Sequence, residues 1–468
     1  MLLLLLAGCF ALRPSNGGGE VRDVAPRTAA AADVALPEGY RIEVVATGLT
    51  FPTAVTFDDA GGIYVVEAGY AYGEVFTTPR ILEVLPGGGL RPVVSGENPP
   101  WTGAVWHEGA FYIAEGGQID GGRIVRARPN GPIEPLVEGL PGLGDHHTNG
   151  PAIGPDGWLY FGQGTATNSA VVGEDNRGFG WLERHPDFHD TPCEDVVLAG
   201  QNFESRAPDG KKSTTGAYVP FGTPTEAGQV IAGRVPCSGA VMKVPLEGGG
   251  LEMVAWGFRN PFGLAFTPDG TLYVSDNGYD VRGSRPVWGN GDWLWRVEPG
   301  RWYGWPDYAG GQALGQRFDP PGKKPPRPLL AEPPDTPPKP AATFGVHSSA
   351  DGLDFARNEQ FGHVGEAFVA VFGDMAPNVG KVLHPVGYNV VRVDVATGVI
   401  HEFATNSGKT RGPASLLGTG GLERPVAVRF DPAGTSLYIV DFGVMTTLRQ
   451  GAQPRPGTGV LWRVWREG

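Results

Sequence analysis

PFGLAFTPDGTLYVSDNG, at residues 261–278, is the stretch that decides the fold. An apolar run, a Pro-Asp-Gly turn and a second run containing Leu-Tyr-Val are typical of two short strands joined by a tight turn. The unit recurs as PTAVTFDDAGGIYVVEAG (52–69), TGAVWHEGAFYIAEGG (102–117), NGPAIGPDGWLYFGQGT (149–165), DGLDFARNEQFGHVGEAFVAVFGD (351–374) and PVAVRFDPAGTSLYIVDFG (425–443). Such self-similarity predicts a repeat architecture.

A second hairpin follows each unit, which gives four strands per repeat. Examples are RILEVLPGGGLRPVVSG (80–96), RIVRARPNGPIEPLVEGL (123–140), AVMKVPLEGGGLEMVAWGF (240–258), WLWRVEPGRWYGW (293–305) and NVVRVDVATGVIHEFATN (389–406). The shared marker of the second strand falls at Tyr64, Tyr112, Tyr160, Tyr273, Val369 and Tyr438. Six four-stranded antiparallel blades predict an all-β, six-bladed β-propeller.

The two ends of the chain predict how the ring closes. The sequence stops at GVLWRVWREG (459–468), which matches the third strand of a sixth blade. The missing fourth strand matches YRIEVVATGL at residues 40–49, far upstream of its blade. Pairing these segments would remove the open edge of an incomplete ring, so we expect an N-terminal strand to close it.

Composition narrows the class of protein. The 74 glycines and 44 prolines recur at turns, and 41% of residues are hydrophobic, so a packed core is expected rather than disorder. The net charge is −13 and no basic stripe stands out, so nucleic acid is an unfavourable partner.

The N-terminal segment suggests export. MLLLLLAGC (1–9) resembles a lipoprotein signal ending in Cys9, the residue that would carry a lipid anchor; a plain cleaved signal or a spurious start are the alternatives. Residues 10–34 would be a flexible linker before a propeller at 36–468, and the protein is expected to be periplasmic or membrane-anchored. Cys193 and Cys237 then suggest a disulfide, with two separate thiols as the alternative.

Two insertions are candidates for shaping a binding site. Residues 166–235 interrupt the third blade, and residues 308–345 lie between the fourth and fifth in this interpretation. Long propeller loops lie at the ends of the axis, although surface elaboration without a role is equally compatible with the sequence.

Three polar clusters lie at the start or end of predicted inner strands. In GDHHTNG (144–150), a neutral imidazole could accept a hydroxyl proton while Asp145 orients the ring; a turn with solvated histidines is the alternative. In GFRNPFG (257–263), Arg259 offers a fixed charge for an anionic oxygen, or an ion pair with an aspartate. In SDNGY (275–279), with Asp292 downstream, oxygen ligands suit Ca²⁺, or form an Asx-rich turn.

Together these motifs resemble the soluble glucose/sorbosone dehydrogenase family, which comprises six-bladed propellers that bind pyrroloquinoline quinone (PQQ) and calcium. The resemblance covers most of residues 36–468. It is most specific in GFRNPFGLAFTPDGTLYVSDNG (257–278) and RWYGWPDYAGG (301–311), with support from LPEGYRIEVVATGLTFPTAVTF (36–57) and GDHHTNGPAIGPDGWLY (144–160).

The resemblance implies a role for particular residues. An ungapped alignment places His146 at the family's catalytic base, beside Asp145, whereas a one-residue gap selects His147. Arg259 and Asn260 match the arginine–asparagine pair at the quinone. The carbonyls that bind calcium correspond to Gly278 and Tyr279, and a cofactor-contacting arginine corresponds to Arg424.

The sequence also departs from the family at cofactor-binding positions. Trp101 stands where the family has a cofactor-binding glutamine. Val386 or a neighbour replaces a lysine, with Lys381 nearby, and Leu422 replaces a second arginine.

The function expected from these features is a PQQ-dependent quinoprotein sugar dehydrogenase. It would oxidise a sugar or a related alcohol or aldehyde, with calcium as a second cofactor. The sequence identifies neither the substrate nor the electron acceptor. Two alternatives remain: a binding propeller that has lost the cofactor, and a metal-dependent lactonase or hydrolase.

Overall fold

Each repeat unit and the hairpin after it form one four-stranded antiparallel sheet. The structure is a computed structural model and describes residues 27–178, 180–207, 210–316, 318, 324–374, 385–448 and 451–468. Cys9, the signal at 1–9, most of the predicted linker and Lys381 therefore lie outside the described residues.

The six blades share one strand order, in which each strand is hydrogen-bonded to the next. Blades 1 to 3 comprise Pro52–Phe57, Ile63–Glu67, Arg80–Val84 and Leu90–Ser95; Trp101–His107, Ala110–Glu115, Gly122–Ala127 and Ile133–Leu140; and Thr148–Ile153, Trp158–Gln163, Ala240–Pro245 and Glu252–Trp256. Blades 4 to 6 comprise Pro261–Phe266, Leu272–Asp276, Gly291–Arg296 and Ala342–Val346; Ala350–Phe355, Ala367–Val371, Asn389–Asp394 and Val399–Asn406; and Pro425–Phe430, Ser436–Asp441, Gly459–Arg466 and Tyr40–Leu49.

The first strand of every blade contacts the first strands of both neighbouring blades. These six strands therefore form a closed ring around a central axis, with the other strands of each blade lying progressively further out. The prediction of an all-β, six-bladed propeller with four-stranded blades is confirmed.

Blade 6 combines the two ends of the described chain. Tyr40–Leu49 pairs antiparallel with Gly459–Arg466, in a register that begins with Tyr40 opposite Arg466. The N-terminal strand thus supplies the fourth strand of the last blade, as predicted, and leaves no gap in the ring.

The repeated tyrosine of the second strand has a packing role between blades. In four blades its ring contacts an aromatic ring on the first strand of the next blade, with centroids 5.0–5.9 Å apart: Tyr64 with Trp106, Tyr160 with Phe266, Tyr273 with Phe355, and Tyr438 with Phe57. Aromatic pairs at this distance contribute beyond the area they bury. The tyrosine that identified the repeat in the sequence therefore packs adjacent blades against each other.

The second insertion does not lie where the sequence predicted. The fourth strand of blade 4 is Ala342–Val346, so the insertion separates the third and fourth strands of that blade instead of two blades. The aromatic stretch at 301–305, predicted as the fourth strand, instead runs beside blade 3, where Trp302 forms a parallel bridge with Trp256. Alternating aromatics made this stretch resemble a strand, but they did not specify its partner.

Shorter elements decorate the propeller. Val34–Ala35 pairs with the outer strand of blade 5. The two-stranded ribbons are Tyr70–Ala71 with Val75–Phe76, Val196–Ala199 with Ala227–Ile231, Phe203–Arg206 with Lys212–Thr215, Tyr308–Ala309 with Gln312–Ala313, and Met445–Leu448 with Gly451–Pro454. The short helices are Ala31–Asp33, Glu174–Gly178, Trp181–Arg184, Leu314–Gln316 and Ala414–Leu417.

Two further contacts tie peripheral segments to the ring. Cys193 and Cys237 form the disulfide that the sequence suggested. Arg27, near the end of the segment predicted as a linker, forms a 2.5 Å ion pair with buried Asp441 of blade 6. The linker residues from Arg27 onward are thus bound to the propeller. Within the described ranges, no helix is long and apolar enough to cross a bilayer.

Candidate functional site

The three polar clusters meet at one end of the axis. In antiparallel sheets, the loop before a first strand and the loop after a second strand lie at the same end. The loops at 141–147, 257–260 and 347–349 precede the first strands of blades 3, 4 and 5, and the loop at 277–290 follows the second strand of blade 4. We call this end the entrance face.

His146 is a buried imidazole with a fixed orientation. Its Nδ1 lies 2.9 Å from the carbonyl oxygen of Thr165 and 3.1 Å from the hydroxyl oxygen of the same residue. A carbonyl only accepts hydrogen bonds, so Nδ1 carries the proton and Nε2 holds the lone pair. Burial, together with the positive charges of Arg259 and Arg282, holds the pKa of His146 well below its usual value. The ring is therefore a neutral acceptor at Nε2.

His147 is buried but has no comparable partner. Neither of its ring nitrogens forms a hydrogen bond to a described residue. Burial lowers the pKa of His147 to about 4. Its ring meets the ring of Tyr70 edge-on at 6.1 Å, on the side of the blade 1 ribbon. Of the two candidate bases, only His146 has a ring fixed by hydrogen bonds.

Arg259 is held by two loops. Its Nη2 donates to the side-chain oxygen of Asn168 at 2.9 Å and to Asp280 at 2.8 Å, and its Nε donates to the Asn168 carbonyl at 3.3 Å. The remaining nitrogen, Nη1, makes the longest bond, 3.4 Å to the carbonyl of Asn277. A guanidinium held on one edge keeps Nη1 as the donor with most capacity for a further oxygen.

A network of charges surrounds this pair. Arg282 forms ion pairs with Asp145 at 2.7 Å, Asp175 at 2.8 Å and Asp280 at 3.0 Å. The guanidinium groups of Arg259 and Arg282 hold the pKa of Asp280 well below its usual range against the effect of burial. Burial raises the pKa of Asp145 to about 6, although Arg282 opposes this shift.

Asp145 does not have the role expected from the sequence. We expected its carboxylate to orient the neighbouring histidine. Instead it pairs with Arg282, and Thr165 orients His146. The partner of the imidazole comes from the loop after the second strand of blade 3.

Asn260 is occupied as a link between blades. Its side-chain oxygen accepts from Asn149 at 2.9 Å, and its side-chain nitrogen donates to Asn277 at 2.8 Å. Asn277 in turn donates to the carbonyl of Ala350 at 3.0 Å. This amide chain joins the inner strands of blades 3, 4 and 5, so in this arrangement both ends of the Asn260 amide are used within the protein.

The turn at Gly278 and Tyr279 is fixed by side chains. Asp292 accepts from the Gly278 N–H at 2.8 Å, and Asn290 accepts from the N–H of Tyr279 at 2.8 Å while donating to its carbonyl at 2.9 Å. A carbonyl has a second lone pair, so the turn retains oxygens suited to Ca²⁺. Among the described residues, no group of three or more histidine, cysteine or acidic side chains is arranged to hold a metal.

Two predicted cofactor residues lie in the core instead. Arg424 is fully buried; its guanidinium donates to the carbonyls of Met445 at 3.0 Å and Gly373 at 3.2 Å, between the rings of Phe372 and Tyr388. Trp101 is also fully buried and donates from Nε1 to Glu115 at 3.1 Å. Both side chains are thus occupied by contacts within the protein, and their assignment to a cofactor stays a prediction. Leu422 is likewise a core residue.

Sequence reasoning missed His347. It occupies the loop before the first strand of blade 5, the kind of position used to select the other candidates. Its Nδ1 lies 3.7 Å from Asp280, and its buried Nε2 has no hydrogen bond to a described residue. GVHSSADG (345–352) contained this signal. Thr165 and Arg282 were also missed, because neither belongs to the three polar clusters selected from the sequence.

Buried polar atoms without partners test whether a cofactor fits. At the entrance face these include both ring nitrogens of His147, Nε2 of His347 and the side-chain oxygen of Gln118. Such atoms are costly unless water or a polar ligand satisfies them. Together with Nε2 of His146 and Nη1 of Arg259, these atoms suit the reacting end of a polar quinone.

Comparisons with known proteins agree on the fold. No protein-family profile and no curated protein matches the chain. Among solved structures, it is similar to a PQQ-bound aldose sugar dehydrogenase from Streptomyces coelicolor, with 17% identity, a TM-score of 0.52, and coverage of 92% of this chain and 99% of that one.

Two other structures give the same result. The apo form of the soluble aldose sugar dehydrogenase from Escherichia coli shows 14% identity and a TM-score of 0.52, covering 91% of this chain and 99% of that one. A family AA12 carbohydrate-active enzyme from Trichoderma reesei shows 15% identity and a TM-score of 0.55, covering 94% and 99%. The resemblance found in the sequence is thus confirmed at the level of the fold.

Proposed function

We propose that this chain is a PQQ- and calcium-dependent oxidoreductase that oxidises a sugar or a related alcohol. The observation that carries the proposal is the pairing of two fixed groups at the entrance face. His146 presents an unprotonated Nε2, and Arg259 is anchored so that Nη1 retains donor capacity. The neighbours of the same fold include sugar dehydrogenases, one of them PQQ-bound.

His146 would act as the general base. Its depressed pKa keeps the imidazole neutral at physiological pH, so Nε2 is ready to accept a hydroxyl proton. Thr165 prevents the ring from turning its protonated nitrogen toward the substrate.

Arg259 would stabilise negative charge on oxygen. Its position is set before any ligand binds, by Asn168 and Asp280, and a preorganised donor loses little to reorganisation. A bound quinone supplies acceptance of the substrate hydride. Arg259 and His146 are the residues that would flank it, and the carbonyls of Gly278 and Tyr279 are those that would hold Ca²⁺.

The test combines binding with turnover. Apo protein is titrated with PQQ in the presence of Ca²⁺, and dye reduction is then followed with aldose sugars. His146→Ala should lower kcat by about 10²–10⁴-fold, the usual contribution of a general base. His147→Ala is the matched control, and its kcat should stay close to wild type.

A larger loss in His147→Ala would assign the base to that residue instead. If PQQ does not bind at high micromolar concentration with Ca²⁺ present, the oxidoreductase proposal fails. The second candidate, a binding propeller without cofactor, is favoured by the burial of Arg424 and Trp101. The hydrolase alternative finds no carboxylate or histidine metal cluster within the described ranges.

We further propose that the protein is exported and anchored through Cys9. The disulfide between Cys193 and Cys237 supports an oxidising compartment. Metabolic labelling with a radioactive fatty acid should mark the wild type but not Cys9→Ser. Equal labelling of the two proteins would exclude Cys9 as the anchor.

A further inference from the structure

A single turn contacts both members of the candidate pair. Residues 165–168 follow the second strand of blade 3. Thr165 accepts from His146, and its N–H donates to the carbonyl of Arg259 at 2.9 Å. Asn168 accepts from the Arg259 guanidinium through its carbonyl at 3.3 Å and its side-chain oxygen at 2.9 Å. The position of this turn therefore sets both side chains at once.

The turn also selects the tautomer of His146. The Thr165 hydroxyl donates its own proton to the carbonyl of Thr167 at 2.7 Å. Toward the imidazole it can then only accept, as the Thr165 carbonyl does. Both neighbours of Nδ1 are acceptors while the turn keeps this shape. If it relaxed, the Thr165 hydroxyl could donate and the other tautomer would be allowed.

One buried carboxylate holds the turn in that shape. Asp190 is 1% exposed. It accepts from the N–H of Ala166 at 2.6 Å, and from the N–H and hydroxyl of Thr167 at 3.2 and 2.6 Å. Three donors on two carboxylate oxygens make charge-assisted bonds, which are stronger than neutral ones. Asp190 lies in the long insertion, remote in sequence from every residue of the candidate site.

The disulfide fixes where Asp190 lies. The adjacent residue, Thr191, forms two hydrogen bonds with Ser238: its N–H donates to the Ser238 hydroxyl at 3.1 Å, and its carbonyl accepts from the Ser238 N–H at 2.9 Å. Cys193 and Cys237 close the same pair of segments covalently. Ser238 lies just before the third strand of blade 3, which begins at Ala240, so Asp190 is linked to this sheet through Thr191.

We propose that Asp190, held by the Cys193–Cys237 disulfide, is a positioning residue that fixes the turn at 165–168 and through it His146 and Arg259. The consequence for catalysis rests on the proposed function, but the consequence for the imidazole does not. The long insertion of blade 3 would thus control the protonation site of the candidate base.

The first measurement needs no cofactor. ¹⁵N-histidine NMR of the full-length apo protein, with His146→Asn to assign the signal, reports which ring nitrogen carries the proton. Wild type should show the Nδ1–H form alone. Asp190→Asn, which replaces an acceptor by an amide facing backbone N–H groups, should show a mixture of tautomers. The Cys193→Ala/Cys237→Ala double variant should shift in the same direction by a smaller amount.

Asp431→Asn is the matched control. Asp431 also accepts two backbone N–H groups and a threonine hydroxyl, from Thr435 and Ser436, but in the turn between the first two strands of blade 6. That turn lies at the opposite end of the axis, so this variant should leave the His146 signal unchanged. If Asp190→Asn does not fold, Thr167→Val removes one donor to the same carboxylate and should give a weaker version of its effect.

Turnover gives a second readout. Asp190→Asn should lower kcat by about 10- to 100-fold with a smaller change in KM, because misplaced groups lose alignment more than binding. A wild-type His146 signal in folded Asp190→Asn overturns the proposal, whatever the activity. If wild type itself has no activity, the proposed function fails and the NMR result still decides the role of Asp190.

Discussion

The entrances of blades 4 and 6 use the same backbone arrangement for different purposes. In blade 4, Asp276 ends the second strand and accepts from the N–H groups of Arg259 at 3.1 Å and Asn260 at 2.8 Å. The indole of Trp295 donates to its second oxygen at 3.2 Å. This carboxylate clamps the loop that leads into the first strand.

Blade 6 repeats the arrangement. Asp441 accepts from the N–H groups of Glu423 and Arg424, both at 2.8 Å, and from the indole of Trp462 at 3.4 Å. GFRNP (257–261) and GLERP (421–425) are therefore structural equivalents. One addition is particular to blade 6: Asp441 also pairs with Arg27.

The difference lies in the register of the arginine. Arg259 is two residues before its proline, whereas Arg424 is one residue before its own. Because successive side chains in extended chain point to opposite sides, Arg259 joins the charge network with Asp280, whereas the guanidinium of Arg424 donates to backbone carbonyls of Gly373 and Met445. An arginine next to an inner strand thus predicts the loop correctly, but one residue of register decides which protein groups its guanidinium contacts.

The largest expected effect is a difference in unfolding free energy between substitutions of Asp441 and Asp276. Asp441→Asn breaks the ion pair with Arg27 and leaves a buried guanidinium without its carboxylate. The side chain of Arg27 is 4% exposed and that of Asp441 is 0% exposed. The free energy of unfolding in urea should fall by about 3–5 kcal/mol. Asp276→Asn, which breaks no ion pair within the described part of the chain, should cost less than half as much. Equal losses would show that the Arg27 pair contributes nothing specific to blade 6.

Substitution of Arg259 should mainly lower kcat, whereas substitution of Arg424 should mainly lower stability. Arg259→Ala should lower kcat for PQQ-dependent dye reduction by about 10²–10³-fold, as for loss of one oxyanion donor. Arg424→Ala leaves several buried carbonyls without donors and should lower stability. Its kcat per folded molecule should remain within about threefold of wild type, a small change beside the loss of an oxyanion donor. A rate loss in Arg424→Ala as large as that in Arg259→Ala would contradict the placement of Arg424 in the core.

The hydrogen bond from tryptophan to the buried aspartate should contribute equally to stability in blades 4 and 6. Trp295→Phe and Trp462→Phe each remove one hydrogen bond to a buried carboxylate, at a cost of about 1–2 kcal/mol in unfolding free energy. Denaturant titrations of the two variants should give nearly the same loss. A difference greater than about 1 kcal/mol, comparable to a whole hydrogen bond, would mean that the two clamps are not equivalent.

The smallest effect is a change in the titration of His146. Its pKa lies below the usual value because of burial and, next, the charge of Arg259. Arg259→Gln should therefore raise the His146 pKa, while Arg424→Gln should leave it unchanged; histidine NMR titration measures both. Since the folded form binds this proton more weakly than the unfolded form, His146 lowers stability as pH falls below about 6.5. Arg259→Gln should make the total loss smaller, because the folded form then binds the proton at a higher pH. A lower His146 pKa in this variant would contradict charge repulsion as the cause.

How far the sequence predicted this molecule depended on the range of the interactions. The blades could be recognised because each pair of strands is local in sequence and because the same aromatic contact between adjacent blades recurs. The tyrosines of that contact are Tyr64, Tyr160, Tyr273 and Tyr438. The fourth strand of blade 4 was misplaced because the alternating aromatics at 301–305 resemble a strand, whereas the actual strand, Ala342–Val346, lies beyond the insertion. Local patterns specified the strands but not the path of the insertion.

The candidate site divides in the same way. His146 and Arg259 could be found because a position before an inner strand is visible in the sequence. Thr165, Asp190 and Arg282 could not, because their contacts with the site come from loops that only the fold brings together. The orienting role expected of Asp145 was wrong for a related reason: the sequence places this residue beside His146 but does not fix the direction of its side chain, which pairs with Arg282.

The closing strand makes the order of synthesis matter. Glu43 and Arg463, paired across the seam of blade 6 at 3.3 Å, are 420 residues apart. During synthesis Tyr40–Leu49 leaves the ribosome early, and it remains unpaired until Gly459–Arg466 has been made. A nascent chain released before that point lacks the third strand of blade 6, so Tyr40–Leu49 and Ser436–Asp441 both lose a partner, and unpaired strand edges favour aggregation or proteolysis. Completion of blade 6 therefore depends on chain length, because only a polypeptide that includes Gly459–Arg466 can pair with the N-terminal strand.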